Sequence, residues 1–147
     1  MPRLKITLPE TLPFRTELEV RVSDVNYTGH LGNDAVLGFV HEARIRYLRS
    51  LGFTELECGG AGIIMIDAEI VYRAEAFHGD VLRAEVGLGA LSSHGCEIFT
   101  RLRASSGGDV AVARTGFAFF DYQSRKVVAV PAVFRARVES GATPERA

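Results

Sequence analysis

Asn33 to Leu51 reads NDAVLGFVHEARIRYLRSL, and the fold turns on this stretch. Val36, Leu37, Val40, Ala43, Tyr47, Leu48 and Leu51 recur at the spacing of one helical face, while Glu42, Arg46 and Arg49 lie off it. Phe39 and Ile45 fall outside that stripe, so the helix is expected to be buried on more than one side. Asn33 or Asp34 stands where an N-cap is needed, and Gly52 follows the last apolar position as a stop.

Upstream, Phe14 to Val22 alternates strictly, with Phe14, Thr16, Leu18, Val20 and Val22 on one face and charged residues on the other: a half-buried strand. Ser23 to Gly32 (SDVNYTGHLG) has no period and is rich in turn formers, so it reads as a loop. Downstream of the Gly-rich Cys58–Gly62 connection the pattern is strand almost throughout, at roughly Ile63–Arg73, Val81–Leu91, Cys96–Ala104 and Asp109–Tyr122. The links between them carry hairpin chemistry, which predicts antiparallel pairing. Gly87, Gly89 and Gly116 interrupt these strands and predict bulges or strong curvature, and a short extra helix is expected after Pro131. The fold class is therefore α+β: one long apolar helix wrapped by a curved antiparallel five-stranded sheet.

The chain has 147 residues, 47% of them apolar, enough for one continuous core. A single domain is expected over residues 1–138, with 139–147 (ESGATPERA) as a flexible tail. A net charge of −1 from dispersed charges offers no field for nucleic acid or an anionic membrane. Cys58 and Cys96 form neither a metal pattern nor a disulfide framework, and no His pairs with a second ligand at a useful spacing, so no metal or cofactor is expected. With no signal-like N-terminus and no membrane-length apolar run, the expected location is the cytoplasm.

The chemically dense segment is Asp24 to Asp34, which packs polar groups between a strand end and a helix start. Free N–H groups and aligned peptide dipoles at a helix N-terminus suit a developing oxyanion. His30, in the same loop, is the first candidate for a base, since imidazole accepts protons at neutral pH. Glu42 is the second, facing either solvent or a neighbouring subunit's site. Asp67 is the third, alone in an apolar run where a buried carboxylate needs a partner or a purpose. A purely structural reading stands beside each. Asp24 closes an Asx turn, Asn26 and Asn33 occupy turn or cap positions, Gly29 supplies backbone freedom, and Glu42 pairs with Arg46 across one helical turn.

Asp24, Asn26, Gly29, His30, Leu31 and Asn33, followed by Glu42, Ala43 and Arg44, resemble the 4-hydroxybenzoyl-CoA thioesterase-like branch of the hotdog superfamily. Tyr72-Arg73 followed by Gly79-Asp80 is similar to that family's second-strand ending. The resemblance implies a hotdog fold, hydrolysis of an acyl-CoA or acyl-carrier-protein thioester, and a homodimer or homotetramer. It also implies a carbonyl polarised by the backbone N–H near Asn33. Tyr27, Gly29, Asp67 and Arg73 are expected at the substrate, Arg73 as a contact for CoA phosphate. In several members the position of Asn26 holds the acidic nucleophile or base; an amide cannot do that work, although it can hold a water or bond the thioester. Two other readings stay open: a hotdog enoyl-CoA hydratase, using Asp24 and Asn26, and a non-catalytic acyl-CoA or acyl-carrier binding protein.

Overall fold

The computed structural model describes residues 3–140. Strand β1 (Phe14–Glu19) leads through a 3-10 turn (Val22–Asp24) to helix α1 (Asn33–Ser50). Strands β2 (Gly62–Tyr72), β3 (Val81–Leu91), β4 (Gly95–Arg103), β5 (Asp109–Asp121) and β6 (Lys126–Val127) follow, and α2 (Ala132–Glu139) closes the order. The strands form one antiparallel sheet in the order β1-β3-β4-β5-β2, with the two-residue β6 pairing β5 as a sixth strand beyond the five expected.

The α1 stripe is buried as its spacing predicts, except Leu37, which is 43% exposed. Phe39 is buried off the stripe, so α1 does pack on more than one side. The sheet residues that meet it are the alternating Phe14, Leu18, Leu82, Ala84, Val86, Ile98, Leu102, Phe117 and Phe119, which join the helix in one core cluster. Phe134 of α2 closes that core edge-on to Phe119, at 5.0 Å between ring centroids. Three register shifts interrupt the sheet: one between Met65 and Asp67, opposite Gly116, one between Leu88 and Leu91, which contains Gly89, and one between Leu102 and Arg103.

The sheet has two differently managed edges. At β1, Arg46 of α1 donates to Thr16 Oγ1 (2.7 Å) and to the Glu17 carbonyl (3.0 Å). At β2, no strand lies on the outer side, and Ile64, Met65 and Ile66 are exposed along it, Ile66 by 68%.

Sequence and structure part at element ends. β1 stops at Glu19 rather than Val22, because Val20 has left the ladder and exchanges hydrogen bonds with Gly79 and Asp80. Glu139 and Ser140, expected in the tail, are the last turn and C-cap of α2; residues 141–147 lie outside the described residues. Among the described residues, no helix is long and apolar enough to cross a membrane.

Candidate active site

The loop before α1 is a tight hairpin. Val25 and Leu31 form an antiparallel bridge, Asn26 N–H donates to the His30 carbonyl (2.9 Å), and Gly29 N–H donates to the Asn26 carbonyl (3.0 Å). Gly29 has φ of 90°, a left-handed conformation that favours glycine. Asn26 Oδ1 accepts from both the N–H (3.0 Å) and the hydroxyl (2.7 Å) of Thr28. Since Thr28 N–H can only donate, the amide orientation is settled, and its NH2 group is left without a partner among the described residues. Tyr27, at the tip, is fully exposed.

Three bonds fix this loop and the start of α1 to each other and to the end of β2 and the link after it. Gly32 N–H donates to the Asp24 carbonyl (3.0 Å), and Leu31 N–H to the Ala76 carbonyl (2.7 Å). The Tyr72 hydroxyl, at the end of β2, donates to the Asn33 carbonyl (2.9 Å). A β-carbon built on Gly32 would stand 3.4 Å from that of Asn26, so the amide-bearing loop and the helix start are in contact.

The cap differs from the sequence expectation. Gly32, not Asn33 or Asp34, is the N-cap, and it offers no side chain. Asn33 Oδ1 instead takes the Asp34 N–H (2.9 Å), and Val36 N–H bonds the Gly32 carbonyl (3.2 Å). The amides of Asn33 and Ala35 are left with no acceptor among the described residues, and they point out of the helix end as free donors. Asn33, His30, Val36, Tyr72, Arg73 and Glu75 line a cavity of about 300 Å³ at this end of the sheet. His30 is half-buried, and its Nδ1 lies 3.1 Å from the Leu31 carbonyl. A carbonyl only accepts, so Nδ1 carries the proton and Nε2 of the neutral ring keeps the lone pair.

The structure brings Asn26, His30, Asn33 and Arg73 to one end of the molecule and removes three other candidates from it. Glu42 lies on the opposite side of α1 from Asn33 and bonds Arg46 (2.8 Å). Asp24 accepts the backbone N–H of Arg21 (2.8 Å) and pairs with its guanidinium. Partial burial raises the pKa of Asp24, but those bonds outweigh it and hold the carboxyl below its ordinary range. Asp67 is 61% exposed on the far face of the sheet, paired with Arg114 at 2.9 Å, because the bulge at Met65 turns it outward from the apolar run that suggested burial. Tyr72 and Glu75 had no individual signal as site residues; only the ladder end beside the helix start reveals them.

Cys58 and Cys96 are free and buried, and burial pushes each thiol up to about 12, which leaves them inert as nucleophiles. No three His, Cys, Asp or Glu side chains converge on a metal-sized site among the described residues.

A single apolar helix held in a curved antiparallel sheet, with its open end beside a polar loop, is a hotdog domain. The chain belongs to the Thioesterase-like superfamily, whose sequence profile matches residues 20–138. The fold is similar to that of a 1,4-dihydroxy-2-naphthoyl-CoA thioesterase from Synechocystis, with a TM-score of 0.77 and 22% identity over 85% of this chain and 94% of the other. A DHNA-CoA thioesterase from Staphylococcus aureus superposes with a TM-score of 0.72 at 17% identity, covering 79% of each chain. Another Staphylococcus aureus protein, solved in complex with CoA, reaches 0.80 at 14% identity over 91% of this chain and 86% of its own. No curated protein sequence matches the chain.

Proposed function

We propose that the chain hydrolyses acyl or aryl thioesters of CoA. The observation that carries this reading is that Asn33, whose backbone amide has no acceptor among the described residues, and His30 line one cavity. The thioester carbonyl oxygen takes the Asn33 N–H, the unpaired amide of a residue that lines this cavity. His30 Nε2 removes a proton from a water as its oxygen bonds the carbonyl carbon. The oxyanion then collapses, the carbon–sulfur bond breaks, and the departing thiolate recovers the proton from His30. One thioester and one water become one carboxylic acid and one thiol.

In this reading the chain works as a homodimer joined along the bare β2 edge, whose last residue, Tyr72, already reaches the helix start. The acyl group then lies between the subunits. CoA as carrier is supported by the CoA-bound neighbour, and two buried free thiols fit the cytoplasm.

The test is a panel of acyl-CoAs, graded in chain length and including aryl groups, read by a thiol-reactive reporter. Thiol release above buffer with at least one substrate is expected. Absence of release from every substrate sinks the reading; in that event, hydration of crotonyl-CoA or tight binding without turnover selects one of the two alternatives.

A further inference from the structure

Among the described residues, Glu75 is the one carboxylate on the wall of the cavity that holds His30 and Asn33. Its backbone is fixed on both sides. Ala74 N–H donates to the Val110 carbonyl (3.2 Å), and the Ala76 carbonyl accepts the Leu31 N–H (2.7 Å). The second bond ties the residue after Glu75 to the residue after His30. Leu31 and Ala76 are buried in the core cluster, whereas His30 is half-buried and Glu75 exposed, so both polar side chains stand outside the core on the cavity wall.

The Glu75 carboxylate makes no hydrogen bond or ion pair among the described residues. The other acids weighed for the reaction are engaged elsewhere: Asp24 with Arg21, Glu42 with Arg46, and Asp67 with Arg114. The Tyr72 hydroxyl has given its hydrogen to the Asn33 carbonyl, and Asn33 Oδ1 already accepts the Asp34 N–H. Glu75 is therefore the free anionic acceptor on a wall that is otherwise largely apolar, built from Leu31, Val36, Ala74 and Val110.

A water that attacks a carbonyl carbon has two hydrogens, and His30 removes one of them. With the second unheld, the water turns about its bond to His30 and aims its lone pair away from the carbon. A cavity of about 300 Å³ has room for a thioester group and a water, whose share of liquid volume is about 30 Å³.

We propose that Glu75 is a second catalytic residue of this cavity: its carboxylate accepts one hydrogen of the attacking water while His30 Nε2 removes the other. The oxygen is thereby held toward the carbonyl carbon as the new carbon–oxygen bond forms. The hydrogen facing Glu75 stays on that oxygen in the tetrahedral intermediate, so the step needs no further proton acceptor.

Thiol release by the full chain tests the proposal, which rests on the thioesterase reading. Glu75→Gln removes the charge and keeps the size, so kcat is expected to fall about 100-fold, with KM and the melting temperature little changed. Both groups act on one water, so the Glu75→Gln/His30→Ala double variant is expected to be little slower than His30→Ala alone. Added formate is expected to recover part of kcat in Glu75→Ala and none in His30→Ala. Wild-type kcat in Glu75→Gln, losses that multiply in the double variant, or no recovery by formate overturns the role of Glu75 and leaves the thioesterase reading in place. A wild type that releases no thiol from any acyl-CoA overturns both.

Discussion

Replacing His30 with alanine separates its structural bond from its proposed role as base. The ring gives one hydrogen bond to the Leu31 carbonyl, and its loss costs about 0.5–1.5 kcal/mol of stability. The Leu31–Ala76 and Asn26–His30 backbone bonds do not involve the ring and keep the loop in place. The fold and the Asn33 amide therefore survive, and KM should change little. A positioned general base contributes about 10²–10⁴ in rate, so kcat should fall by that factor, or about 2.7–5.4 kcal/mol in the barrier. The assay is thiol release at saturating and limiting acyl-CoA, with denaturant unfolding as the control on folding. Added imidazole should recover part of kcat in His30→Ala, since the space vacated opens on the 300 Å³ cavity. A variant that folds normally and keeps more than about a tenth of wild-type kcat, against the minimum expected of a base, refutes His30 as the base and returns the role to a partner subunit or to substrate-bound water.

Asn26→Asp places a carboxylate where several family members carry one, beside the helix start, where negative charge is favoured by about 0.3–1 kcal/mol. Its first oxygen keeps both Thr28 bonds, so kcat is expected to rise and to become less dependent on His30, as the Asn26→Asp/His30→Ala double variant would report. Glu55→Gln should cost about 3 kcal/mol at neutral pH, because Glu55 holds the buried Arg44 at 2.8 Å and the cation–π contact with Phe117 only partly compensates. Burial raises the pKa of Glu55, but hydrogen bonds from Arg44 and His41 outweigh it and lower the folded-state value below the ordinary 4.5. Its stabilisation is thus present above the ordinary carboxylate range and lost as pH falls through the lowered value. The gap between wild type and Glu55→Gln in urea unfolding should accordingly narrow in acid; a constant gap contradicts the assignment. Ile66→Lys, at a 68% exposed position on the β2 edge, should leave protomer stability within about 0.5 kcal/mol while blocking strand pairing between copies, which sedimentation would show as a smaller species.

Local pattern was enough for the order of elements apart from the two-residue β6. The spacing from Val36 to Leu51 specified a helix, and alternation with glycine-rich links specified antiparallel strands, because one buried face imposes a period of 3.6 or 2 on the apolar residues. The glycines at 89 and 116 marked two of the three register shifts; Gly87 pairs Phe99 in regular register, and the shift at Leu102 carried no glycine signal. The Asn26–Asn33 loop stood out as a candidate because its polar residues precede a helix start within a few positions. Neither pattern specified the direction of an individual charged side chain. Asp67 sits in an apolar run, yet a one-residue bulge turns it to the outer face, and no period survives a bulge. His30 ranks ahead of Glu42 as a base in the chain, and the nine-residue spacing from Asn33 to Glu42 already puts Glu42 across the helix; only the packed structure shows that His30 shares a cavity with Asn33 and that Glu42 bonds Arg46 instead. Tyr72 and Glu75 join the site from residues about 40 positions away, through a strand end whose position depends on the β2–β5 register and not on any neighbouring residue. Element type is a local property that the chain carries in its periodicity; the assembly of the candidate cavity is a relation between distant segments that exists only once the core has packed.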